Sequence, residues 1–134
     1  MTFDLQDFAR RYTAAWCSHH AAAVAWLYSA DGSLTINNGK PSVGRPAITA
    51  AAQEFMSAFP DLKVMMDSIS IEGERAIYRW TLDGHNTGPG GTGAHVRISG
   101  HESWRLGNDG LIAESFGHFD QEDWQRQIRT ASQS

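Results

Sequence analysis

The stretch KVMMDSISIEGERAIYRWTLDGH, residues 63–85, decides the fold class, because the apolar pattern here changes from the period of a helix to the period of a strand. Polar and apolar residues alternate from Ser68 to Glu72 in the predicted strand from Lys63 to Glu72, and Arg75 to His85 is rich in β-branched and aromatic residues. Both features are typical of strands, and Gly73-Glu74 between them predicts a tight turn. The segment therefore predicts the first hairpin of a β-meander.

Two further strands are predicted after this hairpin, over Val96 to Leu106 and Leu111 to Phe119, with a turn at residues 107–110. A glycine-rich stretch, residues 86–93, precedes them. It lacks the lysine of a phosphate-binding loop and leads into a strand instead of a helix. We interpret it as a mobile lid or as a plain strand connection.

Helices are predicted on the N-terminal side of the meander. Apolar residues recur at helical spacing from Leu5 to Trp16, and Asp4 can cap that helix. A short second helix is predicted to include Leu27 and Tyr28 and to end at Asp31-Gly32. The pattern then predicts a strand over residues 33–37, a helix over residues 46–59, and a last short helix from Asp120 to Ile128. An apolar helix face covering one face of an antiparallel sheet gives an α+β fold.

The composition limits the class of protein. A chain of 134 residues with 41% hydrophobic and 19% charged residues predicts one folded domain, over residues 1–134. The net charge is −4 and the basic residues are scattered, so we expect no nucleic-acid partner. We also expect no membrane partner, because the longest apolar run is too short to span a bilayer. The single cysteine, Cys17, and the absence of a signal-peptide pattern favour a cytoplasmic protein.

Five short segments carry a resemblance to a known family. They are AWLYSADG at residues 25–32, VGRPAI at residues 43–48, FPDL at residues 59–62, RWTLDG at residues 79–84 and GLIAE at residues 110–114. In this order they resemble the nuclear transport factor 2-like superfamily, and most of all its SnoaL-like members, which include polyketide cyclases and proteins similar to ketosteroid isomerase. The resemblance covers Phe8 to Ile128.

The resemblance implies a fold and a range of functions. The fold is α+β and cystatin-like, with a curved antiparallel sheet that forms a cone around the N-terminal helices and leaves a pocket on its concave side. A homodimer through the convex sheet face is also implied. The superfamily contains isomerases, cyclases, dehydratases, epoxide hydrolases and proteins without catalysis, so no single activity follows.

The alternation in the predicted strand from Val96 to Leu106 places a carboxyl group in the pocket. Glu102 and Trp104 fall on the more apolar side of the last two strands, together with Ser115 and Gly117. Burial would raise the pKa of Glu102 and make it a better general base. The alternative is a structural carboxyl group that bonds to a neighbour. In similar enzymes an acid stands on the next strand, where this chain has Gly117, and this departure weakens the case for an acid–base pair.

A second set of residues is expected to hold the ligand. Aromatic side chains are predicted around the cavity, and Asn37 and Asp83 are placed near its mouth. The aromatic members are Trp16, Tyr28, Phe55, Trp80 and Trp104. Asn37 is equally consistent with a turn residue before Asn38-Gly39.

His118 is the second candidate for catalysis. With the hairpin centred on residues 108–109, the expected pairs are Ser103 with Glu114 and His101 with Phe116, which places His118 on the outer side. If a β-bulge turned it inward, it could act as an acid or base near neutral pH. The alternative is a polar residue at a dimer interface. No metal site and no cofactor are expected, because no compact ligand motif is present.

The sequence leaves three functions open. The first is an enzyme that abstracts and returns a proton on a small hydrophobic molecule without a cofactor, with Glu102 as base. The second is a binding domain that leaves its ligand unchanged. The third is a protein-interaction module that uses the exposed sheet face.

Overall fold

The protein, described here by a computed structural model over residues 4–130, combines four helices with a six-stranded sheet. In chain order the elements are α1 (Leu5–Cys17), α2 (Ala21–Ala25), β1 (Tyr28–Ile36), β2 (Ser42–Val43), α3 (Arg45–Ala58), β3 (Lys63–Glu72), β4 (Arg75–His85), β5 (His95–Leu106), β6 (Ile112–Phe119) and α4 (Gln121–Thr130). The predicted α+β fold is confirmed, and β3 and β4 have the predicted bounds. In the part of the chain that is described, no helix has the length and hydrophobicity needed to cross a bilayer.

The sheet is open and mixed. Its strand order is β2-β1-β6-β5-β4-β3, and β3 to β6 form the expected antiparallel meander. The first long strand, β1, runs parallel to β6, which differs from the wholly antiparallel sheet expected from the sequence. A parallel neighbour requires a long crossover connection, and α3 together with the meander separates β1 from β6 in the chain.

The boundary between α2 and β1 was predicted wrongly. The helix ends at Ala25 and Tyr28 already belongs to β1, whereas the sequence pattern extended the helix through Tyr28 to Asp31-Gly32. Asp31 and Gly32 lie inside the strand, where the pairing with β6 is irregular between Tyr28 and Ser33. A dipeptide typical of turns is therefore accommodated as a strand irregularity, because pairing with β6 holds both sides of it.

The helix α1 covers one face of the sheet. Asp4 caps it as predicted, since the Asp4 carboxylate accepts a hydrogen bond from the Asp7 amide at 3.0 Å. Its buried side chains reach β4 and β5: the ring of Phe8 lies 5.6 Å from Trp104, and that of Tyr12 lies 5.4 Å from Tyr78. We call the sheet face under α1 the inner face and the opposite one the outer face.

The two faces of β5 and β6 were predicted correctly, but the register of this pair was not. Ser103 pairs with Phe116 and His101 with His118, two positions away from the expected pairs. An irregularity between Arg105 and Leu106 lengthens the turn region. Because side chains alternate with a period of two, a shift of two residues leaves the side chains from Glu114 to Phe119 on their predicted faces. At the irregularity the prediction was wrong, because alternation assigned Ala113 to the inner face, whereas Ile112 pairs with Leu106 and is fully buried.

The glycine-rich segment packs against the end of α3. Asn86 donates to Ala58 O at 3.2 Å and accepts from the Thr92 amide at 3.0 Å. Gly88 approaches the helix so closely that a Cβ atom there would lie 1.9 Å from Ser57 O. The structure thus shows hydrogen bonds that tie this segment to α3, and the predicted lid motion stays a prediction.

Candidate functional site

A buried carboxyl group occupies the middle of the inner face. Glu102 lies on β5, and its Oε1 accepts three hydrogen bonds: from Tyr12 Oη at 2.8 Å, from Ser115 Oγ at 2.8 Å and from Trp104 Nε1 at 3.0 Å. The donors come from α1, β6 and β5. This oxygen is therefore fixed by three elements of the fold, while Oε2 accepts none of these bonds.

A second tyrosine extends this network toward β1. The hydroxyl oxygens of Tyr12 and Tyr28 lie 2.9 Å apart, and both side chains are fully buried. When Glu102 is ionised, the single O–H group of Tyr12 donates its hydrogen bond to the carboxylate. The hydrogen bond between the two tyrosines must therefore be donated by Tyr28 and accepted by Tyr12. The chain Tyr28–Tyr12–Glu102 is a line of hydrogen bonds in which charge at one end is felt at the other.

Burial sets the protonation of these groups. It raises the pKa of the Glu102 carboxyl group above its ordinary value of 4.5, and the hydrogen bonds from Trp104, Ser115 and Tyr12 oppose that rise. Burial and the nearby carboxyl group also raise the pKa of Tyr12 and Tyr28 well above 10.0. The tyrosines thus stay protonated, and Glu102 is the group that can exchange a proton.

A hollow lies next to this network, between the inner face and the helices. Its volume is about 60 Å³. Among the described residues that line it, Glu102 is the one acid and none is a lysine, arginine or histidine. The lining consists of Trp16, Leu34, Ile36, Phe55, Val64, Tyr78, Trp80, Leu82, Glu102, Gly117, Phe119 and Trp124.

One wall of the hollow depends on a glycine in β5. Trp80 on β4 pairs with Gly100, which pairs in turn with Phe119 on β6. A Cβ atom at Gly100 would lie 2.6 Å from Cζ2 of Trp80, so the missing side chain lets the indole lie across β5. The buried Nε1 of Trp80 has no hydrogen-bond partner within residues 4–130.

The structure brings four of the predicted residues together around the hollow: Trp16, Phe55, Trp80 and Glu102. Trp104 and Tyr28 are fully buried behind it and reach it only through Glu102 and Tyr12. Their roles are therefore structural supports of the carboxyl group instead of direct ligand contacts.

Asp83 and Asn37 were expected near the pocket mouth, and neither lines the hollow. Asp83 lies on the outer face, where its carboxylate is 2.9 Å from His95 Nε2 and 3.1 Å from Arg97 Nη1. The expected position was wrong because Leu82, one residue before, is the residue that β4 turns inward. Asn37 adopts a positive φ of 51° after β1 and accepts a hydrogen bond from the Phe119 amide, as a turn residue does.

His118 also lies away from the hollow, on the outer face. Its ring is 5.2 Å from that of His101, in a shallow depression that Asn37 borders. Burial, His118 and Arg79 lower the pKa of His101 below 6.5. The irregularity in the β5–β6 pairing does not turn His118 inward, so it cannot act on a molecule in the hollow. Across the described chain, no group of three or more His, Cys, Asp or Glu residues could hold a metal ion.

Several residues of the site were missed in the sequence. Tyr12 was read as part of an apolar helix face, although a buried tyrosine hydroxyl needs a partner and so indicates a polar group opposite it. Trp124 and Phe119 were not assigned to the cavity. Trp124 projects from α4 onto Phe55, Phe59 and Phe119, with ring centroids 5.9, 5.2 and 5.3 Å away. The contact of Trp124 with α3 could not be predicted from local spacing, because Phe55 and Trp124 are far apart in the chain.

Comparison with known proteins identifies the relatives of this chain. Residues 9–115 match the model of the SnoaL-like domain. No curated protein matches the chain. Its fold is similar to that of a protein from Catenulispora acidiphila with a ketosteroid isomerase-like fold, crystallised in complex with trimethylamine. The two are 16% identical with a TM-score of 0.79, over 91% of this chain and 92% of the other.

Two further structures share the fold. A protein from Jannaschia sp. CCS1 assigned as a SnoaL-like polyketide cyclase has 16% identity and a TM-score of 0.73, with 91% of this chain and 92% of the other covered. An NTF2-like protein of unknown function from Burkholderia pseudomallei has 18% identity and a TM-score of 0.79, with 96% and 98% covered. At these identities the likeness concerns the fold alone.

Proposed function

The chain belongs to the SnoaL-like domain family, and on this premise we propose that it binds a small, largely apolar molecule in the hollow and exchanges a proton with it through Glu102. The supporting observation is the placement of one buried carboxyl group in an otherwise apolar lining. Such a setting is typical of ligand sites, in which a few polar groups orient a molecule held by apolar walls.

The geometry of Glu102 suits a general base. Three donors hold Oε1, so the direction of Oε2 is fixed before a molecule binds. The raised pKa makes the carboxylate a stronger base than an exposed glutamate, and the opposing hydrogen bonds keep its ionised form accessible. Abstraction of a proton next to a carbonyl group, and its return to another carbon, requires no further cofactor. This is the chemistry of an isomerase or a cyclase.

The size of the hollow limits the substrate. A volume of about 60 Å³ is well below the roughly 300–1,000 Å³ of pockets that enclose drug-sized ligands. A molecule as large as a steroid would require α4 to move away from Phe55 and Phe119. A small ring or a short branched molecule fits with little rearrangement. Trimethylamine, bound in one similar protein, is of this size.

The test is hydrogen exchange at a carbon acid. Small cyclic ketones and enones, together with ketosteroids, are incubated with the protein in heavy water, and exchange of the α-hydrogens is followed by NMR. We expect Glu102→Gln to lower the exchange rate by about 10²–10⁴-fold, because the amide keeps the shape but cannot take a proton. Glu74→Gln, in the exposed turn before β4, is the matched control. Equal rates in Glu102→Gln and the parent protein would reject the base.

A second candidate is binding without chemistry. Gly117 pairs with Glu102 on the neighbouring strand, so the hollow has no second acid at that position. A single group can abstract a proton, but a reaction that needs an acid and a base at once lacks one partner here. Recovery of a tightly bound molecule, chemically unchanged and without deuterium after incubation in heavy water, favours this candidate.

A further inference from the structure

We propose that the molecule held in the hollow carries a small alkylated ammonium group, which lies against the aromatic rings with Glu102 as its counter-charge. This rests on the proposed function only in so far as the hollow is the ligand site. It goes further by naming the charge and the chemical class of the ligand.

The rings are the first reason. Half of the twelve lining residues are aromatic, namely Trp16, Phe55, Tyr78, Trp80, Phe119 and Trp124. The ring of Trp124 stands at 77° to that of Phe55, and the ring of Trp80 at 66° to that of Phe119, so the walls face in several directions. The face of an aromatic ring is negative, and several faces around one space attract a cation, most strongly where water is excluded.

The charge of the lining is the second reason. No described lining residue is positively charged at any ordinary pH, and Glu102 carries the one carboxyl group among them. An anion would enter a largely apolar space that offers no positive charge, next to a carboxyl group, which is costly. A cation instead meets a carboxylate whose Oε1 already accepts three hydrogen bonds. The hollow thus selects for positive charge and against negative charge.

The small volume of the hollow and its apolar walls favour short alkyl groups on the nitrogen of the ligand. An unsubstituted ammonium ion needs hydrogen-bond acceptors on all its protons, and the hollow offers them only at Glu102. Methyl or ethyl groups on the nitrogen replace these protons and pack against Leu34, Val64 and Leu82. The volume of about 60 Å³ admits only a few heavy atoms, so a long chain would have to leave through the opening.

Binding of a cation is expected to release a proton from Glu102. The titratable groups around this carboxyl group are Tyr12 on α1, Tyr28 on β1 and Tyr78 on β4. Burial raises the pKa of all three, so they stay neutral at ordinary pH. Affinity for a cation with no titrating proton therefore rises with pH as Glu102 becomes ionised.

The experiment uses three probes that share a compact, branched group of methyls: tetramethylammonium as the cation, tert-butanol as the neutral molecule and the somewhat larger pivalate as the anion. Binding to the full chain is measured by calorimetry or by chemical-shift changes at constant ionic strength. We expect the cation to bind about tenfold more tightly than tert-butanol, with no measurable affinity for pivalate. The affinity for the cation should fall as the pH is lowered.

Two variants separate the charge from the rings. Glu102→Gln should abolish the preference for the cation over tert-butanol and the pH dependence of cation binding. Phe119→Leu removes an aromatic ring from the lining, and it should lower the affinity for the cation more than the affinity for tert-butanol. Phe116→Leu, on the outer face of the same strand, should change neither.

The outcomes distinguish this inference from the proposed function. Binding of tert-butanol as tight as that of tetramethylammonium overturns the inference and leaves the hollow as a ligand site. Tighter binding of pivalate overturns it as well. If none of the probes binds to protein whose near-ultraviolet circular dichroism shows a folded core, both the inference and the ligand site are overturned.

Discussion

On folding, Glu102 in the centre of β5 loses its contact with water, and one of its oxygens accepts hydrogen bonds from three protein donors. This change makes the free energy of unfolding depend on pH. Its pKa in the folded protein lies above the ordinary value of 4.5. Below pH 4.5 the carboxyl group of Glu102 is protonated in both the folded and the unfolded chain, so it adds no pH dependence to the free energy of unfolding. As the pH rises above this value, the unfolded chain ionises first, so the free energy of unfolding falls until the pH passes the folded pKa.

Glu102→Gln should remove this loss, because the amide oxygen can accept the same hydrogen bonds without a charge. We expect the variant to gain stability relative to the parent as the pH rises above 4.5, with the gain increasing with pH and then levelling once Glu102 of the folded parent is ionised. Urea unfolding followed by circular dichroism measures it, with Glu74→Gln as control. A difference that stays constant over this range would show that Glu102 does not titrate with a raised pKa.

The same residue shows what the sequence reveals at this scale. Alternation in β5 was sufficient to place Glu102 and Trp104 on the inner face, because side-chain direction in a strand depends on parity alone. The hydrogen-bond donors to Glu102 could not be predicted from the sequence, since Tyr12 is 90 residues away in the chain. The expected position of Asp83 was wrong because Asp83 differs in parity from Trp80 and Leu82, which β4 turns toward the hollow.

At the scale of elements, α4 closes one side of the hollow. Trp124 packs on Phe55 and Phe119, and Gln127 joins α4 to β5 through its bonds to the backbone of Arg97 at 2.8 and 3.0 Å. This helix is short and mostly polar on its outer side. Its attachment therefore depends on the apolar contacts of Trp124 and Ile128 and on a few hydrogen bonds.

Trp124→Ala should loosen α4 and widen the hollow. We expect a loss of about 2 kcal/mol in the free energy of unfolding, less than for a fully buried tryptophan, and faster amide hydrogen exchange in α4 than in β5. Trp26→Ala is the matched control, because Trp26 is 64% exposed and does not line the hollow. Unchanged exchange in α4 would show that Trp124 does not hold the helix.

Element boundaries were predicted well where local signals act alone and poorly where pairing overrides them. The proline at Pro46 and the stop at Phe59-Pro60 mark α3, and the alternation marks β3 and β4. Asp31-Gly32 is a local turn signal, but the parallel pairing of β1 with β6 keeps it within a strand. The β5–β6 register was shifted for a similar reason, since the irregularity beside Leu106 leaves no trace in the pattern.

For the whole molecule, we propose that two copies associate through the outer face of the sheet, as the family resemblance implies. Phe116 is 37% exposed there, with the Arg75 guanidinium group 5.1 Å above its ring. An aromatic side chain left open on a central strand is a common feature of interfaces.

Phe116→Asp should convert a dimer into a monomer, because a carboxylate would have to lose its water at the interface. Light scattering coupled to size-exclusion chromatography should give twice the chain mass of 14.8 kDa for the parent and the single mass for the variant. Val43→Asp is the control, as Val43 is also exposed but lies on the edge strand β2. A monomeric parent, or a variant that remains dimeric, would contradict this interface.

The parallel pairing of β1 with β6 bears on how the chain acquires its shape on the ribosome. Residues 33–36 contact residues 114–117, so β1 gains this neighbour only after nearly the whole polypeptide has been made. At typical rates of translation this delay lasts on the order of several seconds. Until then the nascent β1 has only the two-residue β2 beside it. A chain truncated before β6 would therefore expose both β1 and the edge of β5.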